Sequence, residues 1–305
     1  MMAQEVSAVA ASVGPFIYVC ESNTDEWLAK RKTGIGASEA SRVLGSPYSL
    51  YLEKRNEIPD EQLVGEWLDW GHKLEGIIVH ELGHRIKART LHIGKMYRST
   101  SEPWMLASID GLVFSPDGRA VAVVEAKNVG AWNASEWENG APDKYRFQVM
   151  QQMHVMGVTH GYVCALIGGQ RFVFERIERD DAWLTAYIKT GRDLWRRIQE
   201  GDRPAVDGSN DTVRALKELH PNDNGETVAL AGAFIEIDQE LVALKAMAKS
   251  IDLKTNLLES QIKEAMGDAT YGSIANGVTY AWKTHKRADS KDVRKLTRKQ
   301  NKEAA

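Results

Sequence analysis

The feature that most constrains this chain is a pair of short apolar runs, residues 105–114 and 120–127, joined by Ser115-Pro116-Asp117-Gly118. Both runs have β-branched content and are short for a helix, while the joining residues combine a fixed φ, an Asx-turn former and a glycine. A β-hairpin is therefore predicted, and its polar residues need an explanation. Asp110 interrupts the first run, and Glu125 and Lys127 end the second. Residues two apart on a strand leave the same face, so Glu125 and Lys127 project together. Folding the chain about Pro116-Asp117 sets Asp110 near Val123, on that face and diagonal to Glu125. A slip of one residue would turn Asp110 away. An Asp…Glu-x-Lys pattern alone also fits a salt bridge at a strand end. Two carboxylates at one spot fit magnesium, a hard cation that prefers oxygen donors. The neighbouring lysine would orient or deprotonate a water, or stabilise charge in a transition state, as phosphodiester hydrolysis requires.

Around this hairpin the sequence reads as helices and one further hairpin. Residues 24–56 read as helix, glycine-rich turn and helix, with Gly34-Ile35-Gly36-Ala37-Ser38 as the punctuation. A longer helix is predicted over 64–88, another over 143–156, a hairpin across Gly168-Gly169, and a helix over 180–200 closed by Gly201-Asp202-Arg203-Pro204. Helices flanking a small mixed sheet argue an α/β core at 24–204. Residues 1–23 read as an N-terminal arm and 205–225 as a linker. A C-terminal extension follows at 226–305, in which Leu230, Phe234, Ile237, Leu241, Leu244, Ala248, Ile251, Thr255, Leu258, Ile262 and Ala265 recur in steps of four and three. Such a seam predicts a long helix pairing with another helix, in the same chain or another. A small hairpin through Asn276-Gly277 and a basic tail follow. The tail carries nine Lys and Arg from Lys283 to Lys302, and reads either as a solvated end or as a segment that lies along phosphates.

Composition narrows the class. With 43% hydrophobic and 27% charged residues the chain is an ordinary globular one. No apolar stretch approaches the roughly 20 residues needed to span a bilayer. Cys20 and Cys164 are the only cysteines, which fits buried thiols in a reducing cytoplasm rather than a disulfide framework. A net charge of −3 does not by itself point to nucleic acid.

Five pieces occur in a fixed order: Arg31…Gly34-Ile35-Gly36-Ala37-Ser38, Gly71-His72-Lys73-Leu74-Glu75, Ser108-Ile109-Asp110-Gly111, Val124-Glu125-Ala126-Lys127 and Tyr145…Gln148…Gln152. In that order they resemble the YqaJ-like viral recombinase family, which is similar to lambda exonuclease and belongs to the PD-(D/E)XK nuclease fold. The resemblance implies an α/β nuclease core with a mostly helical C-terminal extension. It implies Asp110, Glu125, the Ala126 carbonyl and Glu75 as metal ligands, Lys127 as the catalytic lysine, and Gln148 as an orienter of water or scissile phosphate. Arg31 and Ser38 match positions that bind the 5′-phosphate at a DNA end, and glycines beside a helix N-terminus suit that task, although Gly-Ile-Gly-Ala-Ser alone is equally a turn and cap. Tyr145 and Gln152 share a helix face with Gln148, as DNA contacts or as packing. Here Ser-Ile-Asp lacks the proline of the fold's name. Among the nine tryptophans, Trp132 and Trp137 are candidates for contact with bases.

The implied activity is a magnesium-dependent exonuclease, with manganese able to substitute and two ions per site, acting 5′ to 3′ on duplex ends. Its implied partners are a single-strand annealing recombinase and further copies of itself, in a trimeric ring, and its setting is the cytoplasm of a bacterial host to a phage or prophage. An endonuclease on the same fold and a catalytically silent DNA-binding module are the competing functions. His80-Glu81-Leu82-Gly83-His84 matches a zinc metalloprotease pattern, but no third ligand follows at helical distance.

Overall fold

In the computed structural model, residues 15–59, 65–287 and 290–300 are described. The N-terminal arm up to residue 14, residues 60–64 with the expected helix start at Val64, and Lys302 of the basic tail lie outside them. The chain divides into two compact units at Asp223/Asn224.

The first unit runs β1 (Phe16–Glu21), α1 (Asp25–Arg31), β2 (Ile35–Gly36), a 3-10 turn (Ala37–Glu39), α2 (Ala40–Gly45), α3 (Pro47–Lys54), α4 (Glu66–Ile86), β3 (Arg89–Ser99), β4 (Met105–Phe114), β5 (Ala120–Val129), α5 (Asp143–Met156), β6 (His160–Ile167), β7 (Arg171–Glu178), α6 (Asp181–Glu200) and α7 (Asn210–Leu219). One mixed sheet of order β1-β3-β4-β5-β6-β7, with β2 beside β4, forms its centre. The strands pair antiparallel except β5 with β6 and β2 with β4. The β5–β6 pair is joined by α5, as a parallel connection requires a crossover. This is the expected α/β class, a central mixed sheet flanked by helices.

Packing fixes the layers. Ile78, Val79 and Leu82 of α4 cluster with Val113, Ala122, Val124, Ala126 and Cys164. A larger cluster joins Val149 and Met153 of α5 and Tyr187, Leu194 and Ile198 of α6 to Leu112, Val123 and Val163 of the sheet. Two glycines permit these approaches: a Cβ on Gly161 would lie 2.4 Å from Val149 Cγ1, and one on Gly111 2.6 Å from Val79 Cγ1. Each helix meets its sheet where the strand offers no side chain.

Several expectations are corrected here. Residues 16–21 of the expected arm form a strand paired with β3, with Cys20 buried, because Phe-Ile-Tyr-Val-Cys is aromatic and β-branched. The expected linker contains α7, capped by the Ser209 hydroxyl and seated by buried Thr212 and Ala215. Strand β3 itself was not anticipated.

The second unit holds α8 (Phe234–Met266), β8 (Tyr271–Ser273), β9 (Val278–Arg287) and β10 (Ser290–Gln300). The long helix and the turn at Asn276-Gly277 follow the sequence reading, but the basic tail is a strand, β10, paired with β9 in an antiparallel sheet. No helix among the described residues is long and apolar enough to cross a membrane.

Candidate active site

The hairpin turn is closed by Ser115 N–H donating to the Arg119 carbonyl (2.9 Å) and by Gly118 at φ +85°. A bulge between Val113 and Phe114 then shifts the register, so that Gly111 pairs Val124 and Leu112 pairs Val123. Continued by one step, this sets Asp110 opposite Glu125, rather than opposite Val123 as expected. The shift is two residues, so the parity of the face is kept and the side chains still converge.

Backbone pairing of β4 with β5 stops at Gly111/Val124, while β5 stays paired with β6 as far as Val129. The β4-facing edge of β5 is thus released just where the acids stand. Ala126 N–H finds its acceptor in Asp110 Oδ2 at 2.8 Å instead of in a β4 carbonyl. Glu125 is 1% exposed, and its two oxygens are both engaged: Oε1 with Lys127 Nζ in an ion pair, Oε2 with Gln152 Nε2 at 2.6 Å. Gln152 also donates to the Ser108 carbonyl (3.0 Å), which ties α5 to both strands of the gap.

The electrostatics follow from this crowding. Burial pushes the Asp110 carboxyl well above the usual range; the Glu125 charge and, more weakly, Glu75 push the same way, against Lys127 and the Ala126 N–H. Burial tends to lower Lys127, but Glu125 and Asp110 overcome it and hold the ammonium above its ordinary value. The ammonium also lies 5.0 Å from the Tyr145 ring centroid, and that ring stacks on Trp137 at 5.5 Å. Glu75 projects from α4 toward His92 of β3, with Oε2 to Nε2 at 3.5 Å.

Residues 26–159 match the family described as the YqaJ-like viral recombinase domain. The uncharacterized protein YqaJ of Bacillus subtilis (strain 168) is 32% identical over 266 residues, which cover 84% of this chain and 82% of that protein. The chain belongs to the YqaJ-like viral recombinase family. Among solved structures, an alkaline exonuclease from Laribacter hongkongensis is similar at 19% identity and TM-score 0.49, covering 58% of this chain and 94% of that one. A phage related exonuclease from Haemophilus somnus 129PT is similar at 10% identity and TM-score 0.43, covering 55% and 94%. Both likenesses are distant.

Every candidate site residue lies inside the YqaJ-like match. The structure brings together Asp110, Glu125, Ala126, Lys127, Gln152 and Tyr145, with Glu75 near enough to act on Asp110. Gln148 is 9% exposed and its side chain makes no hydrogen bond among the described residues; of the two glutamines, Gln152 touches Glu125. Trp137 is buried against Tyr145, so it packs rather than reaching bases, whereas Trp132 is 84% exposed.

Arg31 and Ser38 stand elsewhere, where β2 pairs with Met105 and Leu106 at the start of β4. Ser38 is exposed, and Arg31 is held by Glu39 at 3.2 Å. Glu39 is a buried acid that sequence reading missed. It takes Lys54 Nζ at 2.8 Å and Gly36 N–H at 2.7 Å. Burial alone would raise its carboxyl, but Lys54 and Arg31 outweigh burial and hold it below the usual range. The glycines read differently too: a Cβ on Gly34 would lie 2.5 Å from the Trp104 carbonyl, so that residue serves packing. Gln151 was also missed; it donates to the Ile35 and Leu106 carbonyls (2.8 Å each) and accepts from Tyr187, fixing β2 against β4.

His80 and His84 face each other with Nε2 atoms 3.0 Å apart, but no group of three His, Cys, Asp or Glu side chains among the described residues is arranged to hold an ion. The protease pattern therefore lacks its third ligand. The same finding applies to the acids at the hairpin gap: with Glu125 committed to Lys127 and Gln152, ion binding there needs the Ala126 carbonyl, waters or substrate oxygens beside the carboxylates.

Proposed function

We propose that this chain is a metal-dependent DNA exonuclease that hydrolyses phosphodiester bonds at duplex ends, 5′ to 3′, leaving single strands for recombination by annealing. The observation that carries this reading is the hairpin gap, where Asp110 and Glu125 face each other on strands that have just stopped pairing and Lys127 is locked to Glu125.

The donor set fits magnesium, with manganese as a substitute. Asp110 and Glu125 are hard oxygen donors whose mutual repulsion a dication relieves. The N–H and C=O of one strand residue leave the same edge, so the Ala126 carbonyl shares the released edge with the N–H that Asp110 accepts. Asp110, Glu125, Ala126 and Glu75 would hold one or two ions. When bound, magnesium neutralises non-bridging phosphate oxygens and lowers the pKa of water at the site. Lys127, whose ammonium Glu125 and Asp110 favour in the metal-free site, would orient water and stabilise charge on the phosphate. Gln152 fixes the Glu125 carboxylate, and Gln148, one turn earlier, would orient water or the scissile phosphate. Tyr145 would contact the DNA.

Arg31 and Ser38 would receive the terminal 5′-phosphate. Leu106, beside Gly36, is four residues from Asp110, about 13 Å at ~3.3 Å per residue. The phosphate would take Arg31 from Glu39, and Glu39 would keep Lys54.

Further copies of the chain would pair along α8, whose Phe234, Ile237, Leu241, Leu244, Ile251 and Leu258 are all exposed. In a parallel, in-register pair, Glu240 meets Lys245 and Lys254 meets Glu259 at the flanking positions, opposite charges in both cases. The product strand would pass to an annealing recombinase in the cytoplasm of a bacterial host. The test is a time course on linear, nicked and closed circular duplex DNA with labelled ends, in magnesium. Loss of label from linear DNA with intact closed circles supports the reading; cutting of closed circles makes it an endonuclease.

A further inference from the structure

We infer that the outer face of the C-terminal sheet, centred on Lys283, Lys295 and Lys299, is a second nucleic-acid site that holds single-stranded DNA. The strand register divides the sheet into two faces. One carries Val278, Tyr280, Trp282, Arg294 and Leu296, with exposed Lys286 and Arg298 toward its ends; the other carries Tyr271, Ala281, Lys283, His285, Val293, Lys295, Thr297 and Lys299.

The middle of the first face belongs to the fold. Val278 is buried, and Tyr280, Trp282, Arg294 and Leu296 are half-buried. Arg294 stacks on Trp282 at 3.6 Å and donates to the carbonyls of Gly267 (3.3 Å) and Ala269 (3.2 Å), just past the end of α8. Its charge is spent where a helix C-terminus concentrates negative potential.

The second face has no such use. Lys283 and Lys295 are paired directly opposite each other across the ladder, and both are exposed. Like charges so placed destabilise a sheet. His285 and Lys299 extend the same face, and among Val278–Lys286 and Val293–Gln300 no acidic side chain stands on it. Uncompensated cations aligned across two strands fit a polyanion, whose phosphates remove the repulsion and whose counterions are released. Tyr271, 58% exposed on that face with Lys283 Nζ 5.0 Å from its ring centroid, adds a surface on which an unpaired base can stack. Lysines beside an open aromatic ring favour single strands over duplex, whose bases are already stacked. The site would then hold the strand that the proposed nuclease leaves behind. It rests on that reading only for the origin of its ligand.

The test measures anisotropy of a fluorescent 30-nucleotide oligo-dT, and of a blunt 30-base-pair duplex, against the full chain in EDTA, so that no hydrolysis is involved. The triple variant Lys283→Gln/Lys295→Gln/Lys299→Gln is expected to bind the oligonucleotide at least tenfold more weakly, with a salt slope smaller by about 2 at ~0.7 per phosphate contact. Tyr271→Ala is expected to weaken oligonucleotide binding without changing that slope. The single variant Lys295→Gln should melt no lower than wild type, which guards against reading misfolding as lost binding. An unchanged oligonucleotide affinity and slope in the triple variant overturns the proposal, as does an equal or greater loss for duplex. Loss of binding to phosphatidylglycerol vesicles with oligonucleotide binding intact would assign the face to a membrane and overturn it likewise. If the chain proves to be no nuclease, these binding outcomes stand unchanged.

Discussion

Gly111 governs how close α4 can come to Asp110, because any side chain there would collide with Val79 and push away the helix that carries Glu75. At this scale the site is a set of charges held together against their own repulsion. Asp110 is raised chiefly by burial and then by Glu125, so the sign of its contribution is fixed: in metal-free protein, stability is greatest while Asp110 is protonated and falls as pH rises through its folded value. Asp110→Asn is therefore expected to abolish cleavage yet raise the melting temperature in EDTA by a few degrees, at ~2–4 °C per kcal/mol. Magnesium should raise the melting temperature of wild type and leave that of the variant unchanged, as thermal scans with and without the ion would show. The convergence of Asp110, Glu125 and Lys127 was legible because a register error of two residues keeps every side chain on its face. The Gln152 link to Glu125 was not, since spacing shows that Tyr145, Gln148 and Gln152 share a helix face but not which of them reaches the strand.

Among the elements, the hub at Glu39 binds α1, β2 and α3 through Arg31, Gly36 and Lys54. Glu39→Ala would leave the nearly buried Lys54 ammonium without its charged partner, held only by the Arg31 carbonyl at 2.7 Å. Loss of one member of a buried pair costs about 3–5 kcal/mol, so a drop on the order of 10 °C in melting temperature is expected. Because the folded carboxyl is held low, the wild-type contribution is present at neutral pH and lost only as pH falls through that low value. A pH series of melting curves, in which the gap between wild type and variant narrows toward acid, checks this. Strand legibility has a common physical cause. Of the four strands not anticipated, β1, β3 and β10 each contain a register shift, at Tyr18/Cys20, His92/Lys95 and Ser290/Val293, while the two-residue β2 has none and was hidden in a glycine-rich turn. A bulge resets the period-two alternation on which strand reading depends. The β4–β5 hairpin is bulged too, but its Ser-Pro-Asp-Gly turn announced it independently of period.

For the whole molecule, the division at Asp223/Asn224 separates a unit with its own buried core from one whose long helix carries an exposed apolar seam. The heptad steps of α8 were plain in the sequence, whereas a single chain's sequence does not name the helix that would pair with them. If copies pair along that seam, Ile251→Asp should lower the molar mass in light scattering while the melting of the first unit stays within a degree. The central claim is that Lys127, Asp110 and Glu125 form one hydrolytic centre at the hairpin gap. Its most direct test is the single-turnover rate of nucleotide release from a 5′-phosphorylated linear duplex in magnesium, wild type against Lys127→Ala. The expected result is a fall of at least ~10²–10³-fold, the loss typical of removing one group that stabilises transition-state charge, with binding to the duplex retained. A variant that releases nucleotides at the wild-type rate would contradict the account.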